Sequence, residues 1–472
     1  MDSHPFAEVK KAHLTGIKGV AMTALAQCFA DLGIAVDGSD LAEDFVTKQL
    51  LDNLHVRVKD EFHESNIDEQ TDLLVFTAAH KGSNNPEVIE AKRRSIPTLS
   101  HGEALGKLMN GKIGISICGV GGKSTTSAMV TWILEKTGRK PSFAVGVGGI
   151  LGMERTGKFV HDSEHFVAEA DEYATDPGVN NEPRFLHQYP GVIVCTNIAF
   201  DHPDIYASLD ETKAAYFRFF EQLPQYGSLV CNGDDKVMGE LLDELRRSRE
   251  DLKIITVGEG ENSVVRMGAF SSAVGNTRQA FQFEKNEYTV LLTIPGQFNA
   301  KNALYAIAAC QNVGVPMADS IKALESFQGT MRRFENKGEK NGVQFYDDYA
   351  HHPTEIQATL RALREWYPQN KITAVFQPHT YSRTKQLLAE FSKVFTDADQ
   401  IYLLDIFASA READDPTISS DILAQSIANQ GKKVENLHSI QGAIERLKTE
   451  IKPGNVVMTL GAGDLYHLHD QW

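Results

Sequence analysis

The sequence predicts an α/β protein of several domains, and three observations carry that expectation. Strand-like and helix-like runs alternate almost from end to end, as in VKKAHLTGI then VAMTALAQCFADLG, TDLLVFTAA then NPEVIEAKRR, and GVIVCTNI then DETKAAYFRFFEQLP. That alternation is the mark of parallel strands joined by crossover helices. At 472 residues the chain exceeds what one hydrophobic core supports and suggests about three domains. Finally, an apolar run, a glycine-rich turn and an amphipathic stretch follow one another in residues 113–137, IGISICGVGGKSTTSAMVTWILEKT.

The first unit is HLTGIKGVAMTALAQCFADLGIAVDGSD: a strand, a glycine turn, a helix, and a second strand ending at Asp40. Glycines in such a turn let backbone approach a pyrophosphate, and an acid closing the second strand accepts a ribose hydroxyl. Gly16, Gly19 and Asp40 are therefore candidates for holding a nucleotide. The spacing is thinned, because Lys18 takes the place of the second glycine and Met22 that of the third. A plain strand-to-helix turn with a solvated Asp40 is the competing reading.

The glycine-rich turn of the second unit follows an apolar run that suits a buried strand. It precedes a helix marked by the spacing of Met129, Trp132 and Ile133 and closed by Gly138. Backbone N–H groups at Gly119, Gly121, Gly122 and the helix start can point at phosphate oxygens, Lys123 adds a charge, and the Ser124 hydroxyl can hold Mg²⁺. That is the chemistry of a nucleoside triphosphate site, although Ile117 stands where the strict pattern G-x-x-x-x-G-K-[ST] has its first glycine. Lys123 is expected to be an exposed loop side chain of little weight for stability. Further on, HFVAEADEYATDPG puts Glu169, Asp171 and Glu172 at the end of another apolar run, as hard oxygen ligands for Mg²⁺. His202, in VIVCTNIAFDHPDIY, falls just past the next strand, on the edge where parallel sheets bind ligands. Between about 251 and 295 the alternation breaks: DLKIITVGEG, VVRMGAFSSAV, RQAFQFEKN and EYTVLLTIPG predict an antiparallel appendage.

The last unit resumes the alternation with KITAVFQ then SRTKQLLAEFSKVF. Arg332 and Arg333 precede a strand ending in Asp347, Asp348, Tyr349, His351 and His352, and VFQPHTYSRTKQLL places His379 and Arg383 at another strand-to-helix turn. In a chain of net charge −16, arginines gathered at such turns point to carboxylate or phosphate recognition. Zinc is the poorer reading of His351 and His352, because adjacent side chains diverge and no Cys or further His lies at ligand spacing. Boundaries near Gly106 to Gly111 and near Phe327 to Arg333 divide the chain into domains 1–108, 109–327 and 328–472. The acidic balance, with a pI near 5.5, argues against nucleic acid or an anionic membrane as the main partner, since both are gripped by clustered Lys and Arg. The N-terminus shows no apolar leader, and no stretch approaches the roughly 18 apolar residues of a membrane span, so a cytoplasmic location is expected. Cys28, Cys118, Cys195, Cys231 and Cys310 form no CxxC pair and are expected to be buried free thiols.

Taken in order, GVGGKSTT, EADEY, TNIAFDHPDIY, GQFNAKNAL, FQGTMRRF, DDYAHHPTEI, FQPHTYSRT and TLGAGDLY resemble the motifs of the Mur ligase family over essentially the whole chain. The resemblance implies an N-terminal Rossmann-like domain for a UDP-sugar, a central P-loop ATPase-like domain, and a C-terminal Rossmann-like domain that closes over both. It implies an ATP- and Mg²⁺-dependent ligase of peptidoglycan precursor synthesis working through an acyl phosphate, and FQPHTYSRT points to L-alanine joined to the lactyl carboxylate of UDP-N-acetylmuramate. By matching position, Gly119, Val120, Gly121, Gly122, Lys123, Ser124 and Thr125 would hold the ATP phosphates. Ser124 and Glu169 would hold one Mg²⁺ and His202 a second. Asn299 and Asn302 would face adenine, Arg333 and Asp348 would touch the nucleotide, and His379 and Arg383 would orient the amino acid. Gly16, Gly19, Asp40 and His352 complete the substrate-binding set, and Lys123, Glu169, His202, His379 and Arg383 form the catalytic set. Departures from the family pattern are Val120 and Ser124 for two threonines, Phe298 for the His of G-x-H-N, and Thr380 for an Arg of some members. Tyr216 and Phe217 stand near the place of a carbamylated Lys in related ligases, so no carbamylation is expected. Three readings compete: a ligase joining a whole tripeptide to the same sugar, an NAD-dependent dehydrogenase built on the first unit, and a nucleotide-binding protein that has lost catalysis. The first does not generally carry FQPHTYSRT, the second leaves a second nucleotide loop unexplained, and Lys123, Glu169 and His202 speak against the third.

Overall fold

The computed structural model describes residues 4–200, 205–408, 412 and 414–471. The chain divides into two compact units, one of Met1–Ala269, Gln279–Leu291 and Lys301–Gln328, the other of Phe270–Arg278, Leu292–Ala300 and Gly329–Trp472. Among the described residues no helix is long and apolar enough to cross a membrane.

The N-terminal sheet has five parallel strands in the order Arg57–Lys59, Ala35–Ser39, Lys11–Thr15, Leu73–Phe76, Thr98–Ser100. The order switches direction at Lys11–Thr15, so the chain opens a crevice at that strand's C-terminal end, where Gly16 leads into the helix Val20–Asp31. The central sheet has ten strands and is parallel from Lys253–Gly258 through Ser228–Asn232, Val192–Cys195, Ile113–Cys118 and His165–Glu169 to Ser142–Ala144. The expected antiparallel appendage is therefore shorter than its sequence suggested, because DLKIITVGEG pairs in parallel with Ser228–Asn232. Residues 274–275 and 284–285 alone connect Val265–Ala273, Asn276–Phe283 and Asn286–Leu292, a length that only antiparallel neighbours allow.

Within the first unit one hydrophobic core includes Leu25, Ala26, Cys28 and Phe29 of the first helix together with Ala144, Phe159, Phe166 and Ala168 of the central sheet region. The backbones approach closely. Gln27 Oε1 accepts hydrogen bonds from the N–H groups of Thr156 (3.0 Å) and Gly157 (2.6 Å), and a Cβ on Gly157 would lie 1.9 Å from the Ala24 carbonyl. All five cysteines are buried free thiols.

In the second unit, six strands run in the order Glu335–Lys340, Val343–Asp348, Val456–Leu460, Ile372–Phe376, Gln400–Leu403, Val434–Asn436. The first pair is antiparallel and the rest are parallel. The helix Pro353–Trp366 covers one face, burying Ile356, Leu360 and Leu363 against Ile372, Ala374 and Met458.

Candidate active site

The strand Ile113–Cys118 lies between Val192–Cys195 and His165–Glu169, with Ile117 opposite Glu169 and Cys118 opposite Cys195. Three chain segments thus end side by side on one sheet edge, where the helix Lys123–Lys136 begins. The turn between strand and helix needs glycine twice. Gly119 has φ +123° and a Cβ there would fall 2.2 Å from Thr196 Oγ1; Gly122 has φ +86° and a Cβ would fall 2.6 Å from Asn302 Oδ1. Thr196 Oγ1 donates to the Gly121 carbonyl (2.5 Å), and Gly121 N–H donates to Asn197 Oδ1 (2.9 Å). Thr196 and Asn197 are site residues that the glycine pattern left unnoticed, although their position directly after a buried apolar run marks them. Asn302 sits against the loop, and Thr125 is buried in the helix's first turn.

Lys123 is not the exposed side chain the sequence suggested. Its side chain is only 11% exposed, and its ammonium donates to the Gly119 carbonyl (2.6 Å) and to both oxygens of Glu172 (3.2 and 3.1 Å). Burial opposes the charge, but Glu172, with Tyr173 and Asp171 nearby, holds the ammonium well above its ordinary pKa. Ser124 Oγ donates to Glu169 Oε2 (3.0 Å), and Gly146 N–H fixes Glu169 Oε1 (2.7 Å). Gln188, buried, donates to the Glu169 carbonyl (2.9 Å) and accepts from Ser116 Oγ (2.6 Å), locking the strand end from beneath.

The three carboxylates expected to share a metal are thus parted: Glu169 faces Ser124, Glu172 faces Lys123, and Asp171 lies 3.6 Å from Arg184. Among the described residues no group of three or more His, Cys, Asp or Glu side chains gathers as a metal site. Two hard oxygens, Ser124 Oγ and Glu169 Oε2, do converge, a pairing that suits Mg²⁺, which is held by few protein ligands and retains several waters. His202 lies outside the described residues.

At the N-terminal crevice Gly16 has φ +80° and donates to the Ser39 carbonyl (2.8 Å), and Gly19 caps the helix Val20–Asp31 with no side-chain partner. Asp40 is buried rather than solvated. Its carboxylate accepts the N–H groups of Lys18 and Leu41 (2.8 Å each), and His80 approaches to 3.7 Å. Burial raises its pKa despite those bonds. Asp40 therefore pins the glycine turn.

In the second unit, Asp348 is buried with one oxygen taken by Ala350 N–H (2.7 Å) and the other by Phe334 N–H (2.8 Å). Burial pushes its carboxyl up to about 6, against the pull of Arg333. It fixes the segment that carries Arg333, whose guanidinium lies 4.9 Å from the Tyr349 ring centre. Arg332, at φ +59°, is spent structurally: it donates to the Gly461 carbonyl (2.5 Å) and stacks on Tyr349 and Tyr466. His352 caps the helix Pro353–Trp366 by accepting from Thr354 N–H (3.4 Å), with Glu355 completing the capping box. His379 stacks on Phe407 at 6.0 Å and lies 6.1 Å from His351. Burial lowers the pKa of His351, against the attraction of Glu355 and with the Arg383 charge adding to the effect. Thr380, at φ +67°, opens the short helix that carries Arg383. Asn299 is buried and donates to the Pro295 carbonyl (2.8 Å).

Three models of one family match the chain: Mur ligase family, catalytic domain, over residues 11–113; Mur ligase middle domain over 117–310; and Mur ligase, glutamate ligase domain, over 332–463. The chain is 37% identical over 467 residues to a UDP-N-acetylmuramate–L-alanine ligase of Desulfitobacterium hafniense, spanning 96% of this chain and 97% of that protein. It is 36% identical over 468 residues to one of Clostridium novyi, spanning 98% and 97%. Among solved structures, the fold is similar to that of UDP-N-acetylmuramate–alanine ligase from Thermotoga maritima, with TM-score 0.81 at 23% identity over 98% of this chain and 97% of that one. It is also similar to a murein peptide ligase from Psychrobacter arcticus, with TM-score 0.69 at 23% identity over 98% of each chain.

Proposed function

The chain belongs to the Mur ligase family, and on that premise we propose that it joins L-alanine to the lactyl carboxylate of UDP-N-acetylmuramate while ATP becomes ADP and phosphate. A carboxylate does not acylate an amine unaided, because its oxygen is a poor leaving group. In the proposed reaction a lactyl oxygen attacks the γ-phosphorus, the bond to the β-phosphate oxygen breaks, and ADP leaves an acyl phosphate. The alanine amine then adds to the acyl carbon and loses a proton, and phosphate departs with the C–O bond to leave the amide.

The observation that carries this reading is the meeting of Ser124 and Glu169, 3.0 Å apart, beside Lys123 on one sheet edge. Two anions must meet in line, and a fixed ammonium beside backbone N–H groups offsets their repulsion. Ser124 and Glu169 would hold one Mg²⁺, which supplies further charge neutralisation at the phosphates, and His202 would hold a second. Gly119 to Thr125 cradle the phosphates, Asn302 lies on the adenine side, and Arg333 answers the nucleotide's charge. His379 and Arg383 orient L-alanine. Gly16 and Gly19 receive the UDP moiety, on a turn that Asp40 holds. Domains 1–108, 109–327 and 328–472 would carry the sugar nucleotide, ATP and amino-acid tasks in that order, in the cytoplasm.

Phosphate release measured with ATP, UDP-N-acetylmuramate and L-alanine, and again with each omitted, tests the reading. Release that needs all three is expected. Release indifferent to the sugar nucleotide or to alanine would overturn it, and release with a tripeptide in place of alanine would transfer the assignment to the recycling reaction.

A further inference from the structure

In the loop after the strand Leu73–Phe76, three successive residues hold left-handed backbone: His80 (φ +54°), Lys81 (φ +73°) and Gly82 (φ +50°). That conformation is unfavourable for residues with a side chain and persists only where the surroundings impose it. Asn85 Nδ2 donates to the His80 carbonyl (3.0 Å) from within the loop. From outside it, the buried carboxylate of Asp176 accepts from the Ser83 N–H (3.1 Å). The approach is so close that a Cβ on Gly82 would fall 2.0 Å from Asp176 Oδ1, so loop and carboxylate are fitted to each other.

Asp176 does not belong to the N-terminal sheet. It follows shortly after Glu172, in the hairpin formed by Ala174–Asp176 and Asn180–Pro183. Thr175 Oγ1 closes that hairpin by donating to the Glu182 carbonyl (2.8 Å) and meets His187 Nε2 at 3.0 Å. The segment that faces Ser124 and Lys123 thus runs on into a strap over the N-terminal loop. What the strapped loop carries is His80, which lies over the glycine turn: a Cβ on Gly16 would be 3.5 Å from His80 Cδ2. His80 Nε2 stands 3.7 Å from Asp40 Oδ1, and its ring packs on Phe62 with centres 4.7 Å apart. The side chain is 19% exposed, and an imidazole beside such a turn offers an N–H to an arriving pyrophosphate oxygen.

We propose that His80 contacts the pyrophosphate of the sugar nucleotide in the N-terminal crevice, and that Asp176 is the positioning residue that holds His80 there. The proposal rests on the reading of the crevice given above and deepens it, since it makes one carboxylate from the ATP-binding side a condition of tight sugar-nucleotide binding.

Titration calorimetry of UDP-N-acetylmuramate and, separately, of ATP into the purified full-length protein, beside melting curves, provides the test. His80→Ala should weaken UDP-N-acetylmuramate by about tenfold or more, the scale of a hydrogen bond to a charged group, while ATP affinity and the melting temperature stay level. Asp176→Ala should weaken the sugar nucleotide by a similar factor and ATP little. Asp176→Asn, whose amide oxygen still accepts from Ser83, should restore binding to within about threefold. Because Asp176 acts through His80, the double variant Asp176→Ala, His80→Ala should bind no more weakly than His80→Ala alone. Should Asp176→Ala fail to fold, Asp176→Ser, whose hydroxyl is drawn back from the Ser83 N–H, should weaken the sugar nucleotide likewise. Unchanged affinity in His80→Ala would overturn the contact. Additive losses in the double variant, or equal losses for both ligands with earlier melting in the Asp176 variants, would overturn the positioning role. Failure of the unmodified protein to bind UDP-N-acetylmuramate would instead remove the reading of the crevice itself.

Discussion

Lys123 shows how a residue's neighbours change what its loss should do. As an exposed side chain it could be removed at little structural cost. Paired with buried Glu172, it cannot, because Lys123→Ala takes the ammonium from a buried carboxylate. We expect the variant to lose turnover and also about 3 kcal/mol or more of stability, the scale for breaking one half of a buried pair. The double variant Lys123→Ala, Glu172→Gln should recover most of that stability and no activity. Melting curves of the three proteins check this, and equal melting of the single variant and the unmodified protein would show that the pair carries no weight. Arg383 makes a second case at this scale. If it orients L-alanine, Arg383→Ala should raise the KM for alanine by an order of magnitude or more while the KM for ATP moves little, and Arg383→Lys should rescue only in part, since a point charge cannot reproduce a planar fork. Steady-state kinetics with each substrate varied in turn decide it. Equal increases for all three substrates, with earlier melting, would reduce Arg383 to a part of its turn.

Elements are tied together by buried polar groups that no periodicity announces. Glu87, on the helix Pro86–Arg93, is fully buried and accepts from Thr15 Oγ1 (2.8 Å), Ser39 Oγ (2.6 Å) and Asn66 Nδ2 (2.8 Å). His13 lies 3.3 Å from Glu87 and 2.7 Å from Asp37. Burial alone would lower the His13 pKa, but the two carboxylates hold it up to about 9. A histidine whose pKa is raised by folding contributes fully below the unfolded value near 6.5 and loses that contribution as pH climbs through 9. Stability should therefore decline between those values by an amount on the order of 3 kcal/mol, and His13→Gln should flatten the decline. Denaturation midpoints across that range check it, and an unchanged slope in the variant would contradict the assignment. A second element-scale prediction concerns Gly106 in the helix His101–Met109. Alanine normally improves a helix interior by up to about 1 kcal/mol over glycine. Here a Cβ would fall 2.1 Å from the His187 carbonyl, so Gly106→Ala should lower the melting temperature. A raised one would show that the contact yields.

For the molecule as a whole, the alternation of runs, the glycine loop and the ordered motifs make the α/β class and the family legible in the sequence. The loop glycines and Ser124 are legible because they follow an apolar strand and Glu169 because it closes one, and a parallel sheet brings such ends to one edge. What escaped depends on direction rather than order. Nothing in EADEY tells which carboxylate turns to Ser124 and which to Lys123, because that follows from how the segment leaves its strand. Asp40 and Asp348 each engage backbone N–H groups with their carboxylates, a role in holding the turn that their place at a strand end does not announce. DLKIITVGEG reads like the hairpin strands that follow it, although it pairs in parallel with Ser228–Asn232, because a short apolar run does not declare its pairing partner. The central claim is that an acyl phosphate on the lactyl carboxylate is converted to an alanine amide. The most direct measurement starts from UDP-N-acetylmuramate carrying heavy oxygen in that carboxylate, with ATP and with L-alanine and tripeptide present together, and follows both products by mass spectrometry. The account predicts a sugar nucleotide heavier by one alanine residue and one labelled oxygen in each phosphate released; unlabelled phosphate, or a product carrying the tripeptide, would contradict it.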